Sequence, residues 1–351
     1  MAIKTLKVRL KDKHAPQLRK MAAAANYVWN YCNELSARAI KERHKFMSGF
    51  DFHPYTRGAG KELGLHSATL QEIAEEYATR RKQFKKAKLR WRKTGGTQRS
   101  LGWIPTKAGA VKYKNGQLHH NKMHIGLWDS FGLSQFEIRS GSFTEDSRGR
   151  WYFNAVVKFE PKQSSGNGEV GIDLGCKSTA TDSNGEGVRG REYRHLEQKL
   201  GIAQRAGHKN RVRAIHDKIK NRRKDTLHKY STKLVRENAL VVVGNVSSKA
   251  LVKTKLAKSV LDAGWGQLKA MLEYKCNNAD VAFAVVNEAY STQTCSGCGC
   301  ISRTSPKGRA GLGIREWTCA ECDETHDRDI NSAKNILVAG HRHLVGGIPR
   351  L

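Results

Sequence analysis

Acidic residues are scarce in this chain of 351 residues: 32 Asp and Glu stand against 63 Lys and Arg, a formal net charge of +31. Such an excess repels itself and weakens the compact state unless an anion shares the surface. Long hydrophobic runs are missing as well. The longest, Ala239–Val243 and Val281–Val286, fall far short of the roughly 20 residues a bilayer-spanning helix needs. The amino terminus has no apolar stretch of the roughly 7–15 residues found in a secretory signal, so no leader is expected. Proline is sparse, at 6 residues, and 38% of the chain is hydrophobic, which excludes a disordered composition. The length leads us to expect two domains or more. The partner that fits the charge is nucleic acid, because Lys and Arg bind phosphate by releasing condensed counterions.

Cysteine usage points to a reducing, cytoplasmic setting. Five of the eight cysteines fall between positions 295 and 322. Disulfide frameworks belong to small secreted domains, and this chain is neither. Cys295-x-x-Cys298 and Cys319-x-x-Cys322 have the spacing of a four-thiolate zinc ribbon, each pair forming one tight knuckle. Cys300 is left out of the ligand set because Cys298 fits the knuckle better.

The pattern along the chain divides it in two. Lys4–Leu10 alternates like a half-buried strand. Leu18, Met21, Ala25, Val28, Cys32, Leu35 and Ala39 keep a helical period. Thr69-x-x-Glu72 suggests a capping box that opens a second helix, with Leu70, Ile73, Tyr77, Phe84 and Trp91 as its stripe. From Arg80 to Lys93 that helix is mostly basic, either a solvated face or a face laid along phosphates. Short strands are expected at Lys122–Trp128, Ser134–Arg139 and Trp151–Phe159. With Lys4–Leu10 they suggest a small antiparallel barrel, its two helices inserted after the first strand. Residues 161–168 read as a linker. The second half alternates strands and helices: strand Val170–Gly175, a turn at Asp182–Gly187, a basic helical region over about Tyr193–Asn238, strand Ala239–Gly244, a helix around Trp265–Asn277, strand Val281–Asn287, the cysteine cluster, and a last helix over about Ile330–Leu344. This is an α/β layer with some parallel pairing.

Because acids are few, their positions are informative. Asp173 lies alone on an apolar strand, where burial of a carboxylate is costly unless it meets a cation; the alternative is a turn residue beyond the strand end. Asp329 stands where the last helix begins, as an N-cap or as a metal ligand. On a nucleic-acid-binding chain, two such carboxylates suggest a pair of Mg²⁺ ions acting on a phosphodiester.

The strand around Asp173, the cysteine cluster and His326-Asp-Arg-Asp329-Ile-Asn-Ser-Ala-Lys-Asn335 resemble the RuvC-type nuclease of the TnpB family. Its members are transposon-encoded, RNA-guided DNA endonucleases related to type V CRISPR effectors and Fanzor proteins. The motifs cover about residues 168–340; the N-terminal half resembles the family's wedge barrel with recognition helices but carries no sharp motif. The resemblance implies a multidomain α+β and α/β protein. Residues 1–165 would form the wedge β-barrel, with recognition helices inserted over about 12–100. Residues 166–351 would form an RNase H-like RuvC domain with a zinc ribbon inserted at about 291–326. It further implies a guide RNA, a double-stranded DNA target cut beside a short recognised motif, no membrane, and a nucleoid association when bound to DNA. Asp173 would be the first catalytic carboxylate and Asp329 the third.

The family's middle carboxylate is a Glu at the end of the strand that here closes with Gly244. That Glu is absent. Either the protein is a nuclease-inactive RNA-guided repressor, or another acid has taken the role. Glu288, at the end of the next buried strand, is the candidate, because neighbouring strands lie about 4.8 Å apart and a glycine leaves room for its side chain. Some branches of the family relocate the Glu by about this distance. Asp173, Glu288 and Asp329 are then the expected ligands for two catalytic Mg²⁺, and Cys295, Cys298, Cys319 and Cys322 those for one structural Zn²⁺. A guide-independent resolvase is a third reading, but it needs neither zinc ribbon nor basic helix.

Overall fold

A computed structural model of the chain describes residues 2–246, 251–254, 257–308 and 310–346. It forms two compact units, Met1–Glu160 and Pro161–Leu351.

The first unit begins with β1 (Ala2–Leu10), which buries Leu6, Val8 and Leu10 on one face. α1 (Ala15–Arg43) starts with a proline in its first turn, where the missing N–H costs nothing. It buries the expected Leu18, Met21, Ala25, Val28 and Cys32. Two short helices, α2 (His53–Thr56) and α3 (Ala59–Leu63), lead to α4 (Ser67–Phe84). The core between α1 and α4 is aromatic: Tyr77 meets Trp29 and Phe52 edge-on, with ring centroids 5.4 and 5.7 Å apart.

Two expectations for α4 fail. Its cap is His66, whose ring nitrogen accepts from the Ala68 N–H; Thr69 is already inside the helix and buried. The helix also stops at Phe84, where Lys85 turns left-handed, so the basic run to Lys93 is not helical. Residues 85–101 form an irregular strap instead, which turns back on itself between Lys93 and Ser100, whose N–H donates to the Lys93 carbonyl at 2.8 Å.

Strands follow: β2 (Trp103–Thr106), β3 (Lys112–Lys114), β4 (Gln117–His120), β5 (Met123–Trp128), β6 (Ile138–Glu145) and β7 (Trp151–Phe159). The sheet order is β2-β6-β7-β1-β5-β4-β3, antiparallel throughout. Both ends are edges, so the sheet is a curled half-barrel and not the closed barrel the pattern suggested. The strand expected at Ser134–Arg139 starts later, as β6 at Ile138, because Ser134 and Gln135 belong to a 3₁₀ turn, Leu133–Gln135. Its cause is local: Gly132 takes a positive φ, and the Asp129 carboxylate accepts from the Phe131 and Leu133 N–H groups.

The second unit is built on a sheet in the order β10-β9-β8-β11-β12: β8 (Gly168–Asp173), β9 (Ser178–Asp182), β10 (Gly187–Arg189), β11 (Asn238–Gly244) and β12 (Ala282–Val286). β8, β11 and β12 run parallel, while β9 and β10 form an antiparallel meander from β8. In chain order within the unit this is 3-2-1-4-5. The basic region after β10 is two helices, α5 (Glu192–Arg205) and α6 (Lys209–Glu237), not one; Gly207, at φ 67°, breaks it. α7 (Ala257–Ala263) and α8 (Trp265–Ala279) precede β12, and α9 (Arg328–Gly346) closes the unit. α9 lies directly on the sheet. A Cβ on Gly171 of β8 would strike the Ala333 carbonyl and Leu337, and one on Gly340 would strike Val242. Glycine at these two positions is what permits the close approach.

Candidate active site and metal centre

Asp173 is the last residue of β8, on the strand and not beyond it. Gly244 ends the adjacent parallel strand β11, paired in register with Val286 of β12, and Glu288 lies two residues past Val286. A Cβ built on Gly244 would collide with Oε2 of Glu288. The Glu288 carboxylate therefore fills the space that a side chain at 244 would take. Oε2 is buried and has no hydrogen-bond partner among the described residues.

Asp329 sits in the first turn of α9. It is not the cap. That role belongs to Asp327, whose Oδ1 accepts from the Asp329 and Ile330 N–H groups at 2.9 Å each. Asp329 instead holds the guanidinium of Arg315 at 2.8 Å. One turn on, the Ser332 hydroxyl donates to Asp173 Oδ1 at 2.8 Å and also meets Ser291 Oγ at 2.8 Å.

The electrostatics tie the three acids together. Burial is the main cause that pushes the Asp173 carboxyl up to about 7; Ser332 opposes it, and the negative charges of Asp329 and Glu288 push it further. Burial also raises Glu288, against the cation of Lys269 on α8. The same burial lowers Lys269. Asp173 thus feels the charge of the other two carboxylates, yet among the described residues the three are not gathered within 4.8 Å of one another as a ligand set. Other nearby acids are committed elsewhere: Asp182 accepts from Tyr230, and Glu186 pairs with Lys233.

The four cysteines Cys295, Cys298, Cys319 and Cys322 bring their Sγ atoms within 4.8 Å of one another. Cys295–Cys322 and Cys298–Cys319 are 3.6 and 3.7 Å apart. Thiolates about 2.3 Å from a tetrahedral ion would be about 3.8 Å apart, so the donor set fits one metal ion. Cys300 stays outside, its sulfur nearest the Cys298 carbonyl at 3.9 Å. The backbone N–H of Glu321 holds the Cys319 thiol down to about 7. Gly299, at φ 79°, is required in the first knuckle, whereas a Cβ on Gly297 would meet the end of the Glu324 side chain. The second knuckle lies between β13 (Glu316–Thr318) and β14 (Thr325–Asp327), which pair antiparallel. Of the expected ribbon only Arg309 lies outside the described residues.

Hydrogen bonds join this module to α9. Asn331 accepts from the Ser296 N–H at 2.8 Å and donates to the Thr294 carbonyl at 2.8 Å; Asn335 donates to the same carbonyl at 2.6 Å. His326 Nε2 lies 3.0 Å from Cys295 Sγ. Reading the residues alone missed Lys269, Ser332 and Arg315. Serine, lysine and arginine are too common here to signal a site, and only the fold brings them to the acids.

Two families match this chain: "Probable transposase" of the OrfB_IS605 type over residues 152–255, and "Cas12f1-like, TNB domain" over residues 265–336. A Streptomyces pristinaespiralis protein named "Putative RNA-guided DNA endonuclease" is 32% identical over 296 residues, covering 79% of this chain and 72% of its own. The Escherichia coli (strain K12) protein named "Putative RNA-guided DNA endonuclease InsQ" is 30% identical over 275 residues, covering 69% of this chain and 62% of its own. A solved Cas12f1–sgRNA–target DNA complex aligns over 96% of this chain and 99% of its own at 16% identity, with a TM-score of 0.37.

Proposed function

Because the chain belongs to the TnpB family of RNA-guided DNA endonucleases, we propose that it is an active nuclease of a transposable element that cuts double-stranded DNA at sites chosen by a bound RNA. Base pairing to the guide reads the target, and the protein holds the heteroduplex by its backbone and reads a short duplex motif beside it. The +31 charge supports phosphate contacts on this scale.

The active reading, as against a binding-only repressor, rests on one observation: Glu288 occupies the space over Gly244. This proximity supports Glu288 as the acid that stands in for a Glu at 244. Asp173, Glu288 and Asp329 would hold two Mg²⁺ ions. Their oxygens are hard donors of the kind Mg²⁺ prefers, and Oε2 of Glu288, without a hydrogen-bond partner among the described residues, is available to serve. Bound there, the ions would supply an activated water and neutralise charge on the attacking and leaving oxygens. The chain's own residues prepare the place. Ser332 orients Asp173, and Arg315 holds Asp329 at the start of α9. The 3-2-1-4-5 strand order supports an RNase H-like RuvC domain over 166–351, with residues 1–165 as the wedge unit. Cys295, Cys298, Cys319 and Cys322 would hold one structural Zn²⁺.

The test is direct. RNA copurifying with the protein is sequenced, its guide segment is matched to a plasmid, and cutting is followed with and without Mg²⁺. Mg²⁺-dependent, guide-dependent cleavage supports the proposal. Guided binding without cleavage under any guide supports the repressor.

A further inference from the structure

The strap of residues 85–101 is fixed by asparagines. Asn26, Asn30 and Asn33 share one face of α1. Asn30 donates to the Arg92 carbonyl at 2.9 Å and accepts the Arg92 N–H at 2.8 Å. Asn33 repeats the arrangement on Leu89, at 2.8 Å each way, and also accepts from Tyr77. Asn26 Oδ1 accepts from Arg92 Nε at 2.6 Å, and Arg92 Nη2 donates to the Leu101 carbonyl at 2.8 Å. The side-chain amides of Asn30 and Asn33 thus copy the paired bonds of a neighbouring β-strand. A run of Lys and Arg with no regular structure of its own is held in place by them at Leu89 and Arg92.

This pinning sorts the side chains. Leu89 and Arg92 turn inward; Lys85, Lys86, Arg90 and Lys93 are exposed and make no ion pair among the described residues. Lys88 is paired with Glu34. Between these cations stands Trp91, 51% exposed. An indole left half in water forgoes much of the burial that a side chain of about 150–250 Å² normally gains. Lys88 Nζ lies 5.5 Å from its ring centroid.

We propose that the strap is a preformed seat for an unpaired RNA nucleotide, its base stacked on Trp91 and its flanking phosphates on Lys85, Lys86, Arg90 and Lys93. An exposed aromatic among unpaired cations is the chemistry of single-strand recognition, because every base has a stacking face. RNA fits better than DNA, since a folded RNA offers unpaired loop bases at rest, whereas target DNA arrives paired. Pinning by Asn26, Asn30 and Asn33 keeps the ring outward before binding, so less ordering is needed when RNA arrives. The inference rests on the RNA-guided reading for the presence of RNA.

The full chain, stripped of RNA, is titrated with three labelled probes: an RNA hairpin with a single-stranded loop, a fully paired RNA duplex, and a single-stranded DNA of the loop sequence. Trp91→Ala should weaken hairpin binding about tenfold and duplex binding less than about twofold. Trp91→Phe should restore most of the loss. Asn30→Ala should weaken the hairpin several-fold while the thermal midpoint stays near wild type. Ultraviolet cross-linking of the wild type should place a loop base on the peptide that contains Trp91. Equal hairpin affinity of Trp91→Ala and wild type overturns the proposal, and so does an equal loss on the duplex. Single-stranded DNA bound as tightly, with the same Trp91 dependence, overturns the RNA assignment. A wild type that binds no RNA at all fails the functional reading instead, so the two failures are distinct.

Discussion

At the scale of single residues, the proposed activity turns on Gly244 and Glu288. The sequence offered their exchange as a proposal: a strand-end glycine where the family has Glu, and an acid at the end of the next strand. What could not be read was the partner set. Ser332 becomes informative only when α9 places its hydroxyl on Asp173, and Arg315 only when the β13–β14 hairpin carries it to Asp329. The same geometry makes a prediction for Gly244→Ala. The new Cβ would strike the carboxylate end of Glu288 and come within 3.1 Å of Cδ1 of Ile336, both ends of flexible side chains, so the fold should tolerate it, with a thermal midpoint within a few degrees of wild type. Glu288 must move, however, and guided cleavage should fall by about tenfold or more, the cost of roughly 1.4 kcal/mol at the transition state. A cutting assay and a melting curve on one preparation check both halves. Full activity with Glu288 displaced would remove Glu288 from the site.

At the scale of elements, long apolar strands and amphipathic helices were readable because their burial patterns are strong. β7 runs over Trp151–Phe159 as the alternation suggested, and β11 matches its apolar run within one residue. Weak elements were not. β3 and β10 have three residues each and little hydrophobic signal. The strap was misread as helix because its composition is helix-friendly, while its conformation is dictated by asparagines some 60 residues earlier. Asn26, Asn30 and Asn33, spaced four and three apart on an otherwise apolar helix face, were the available clue. The cysteine spacing was fully legible, and it carries a prediction. The protein should contain one zinc per chain by elemental analysis. Cys298→Ser should lower the zinc content and loosen the ribbon, because binding energy is folding energy in so small a module. Cys300→Ser should change neither. Since Asn331 and Asn335 tie the ribbon to α9, zinc loss should also reduce cleavage. Equal zinc loss in both variants would put Cys300 in the ligand set. The contact of α9 with the sheet gives another prediction, on Gly340→Ala. Alanine in a helix interior normally gains about 1 kcal/mol over glycine. Here the added methyl meets Val242, and overpacking of this kind costs about 1–3 kcal/mol. Chemical denaturation should therefore show a net loss; a gain of about 1 kcal/mol would mean that helix and sheet separate easily.

At the scale of the whole molecule, charge dominates. A chain at +31 neutralises phosphates, and the affinity for RNA should fall steeply with salt. If six phosphates are engaged, a rise from about 50 to about 200 mM should cost about a thousandfold; a flat profile in a filter-binding titration would mean that the charge serves only solubility. The charge pointed to nucleic acid at once, but not to cutting. That depends on whether the scarce acids meet. The measurement that decides it compares wild type and Glu288→Ala in the same guided complex, with target binding and Mg²⁺-dependent cleavage followed in parallel. A carboxylate that acts on the transition state and not on duplex affinity predicts that the variant binds its target like wild type and leaves the DNA intact. A Glu288→Ala variant that cuts as fast as the wild type, or a wild type that binds its guided target and never cuts, would contradict the account.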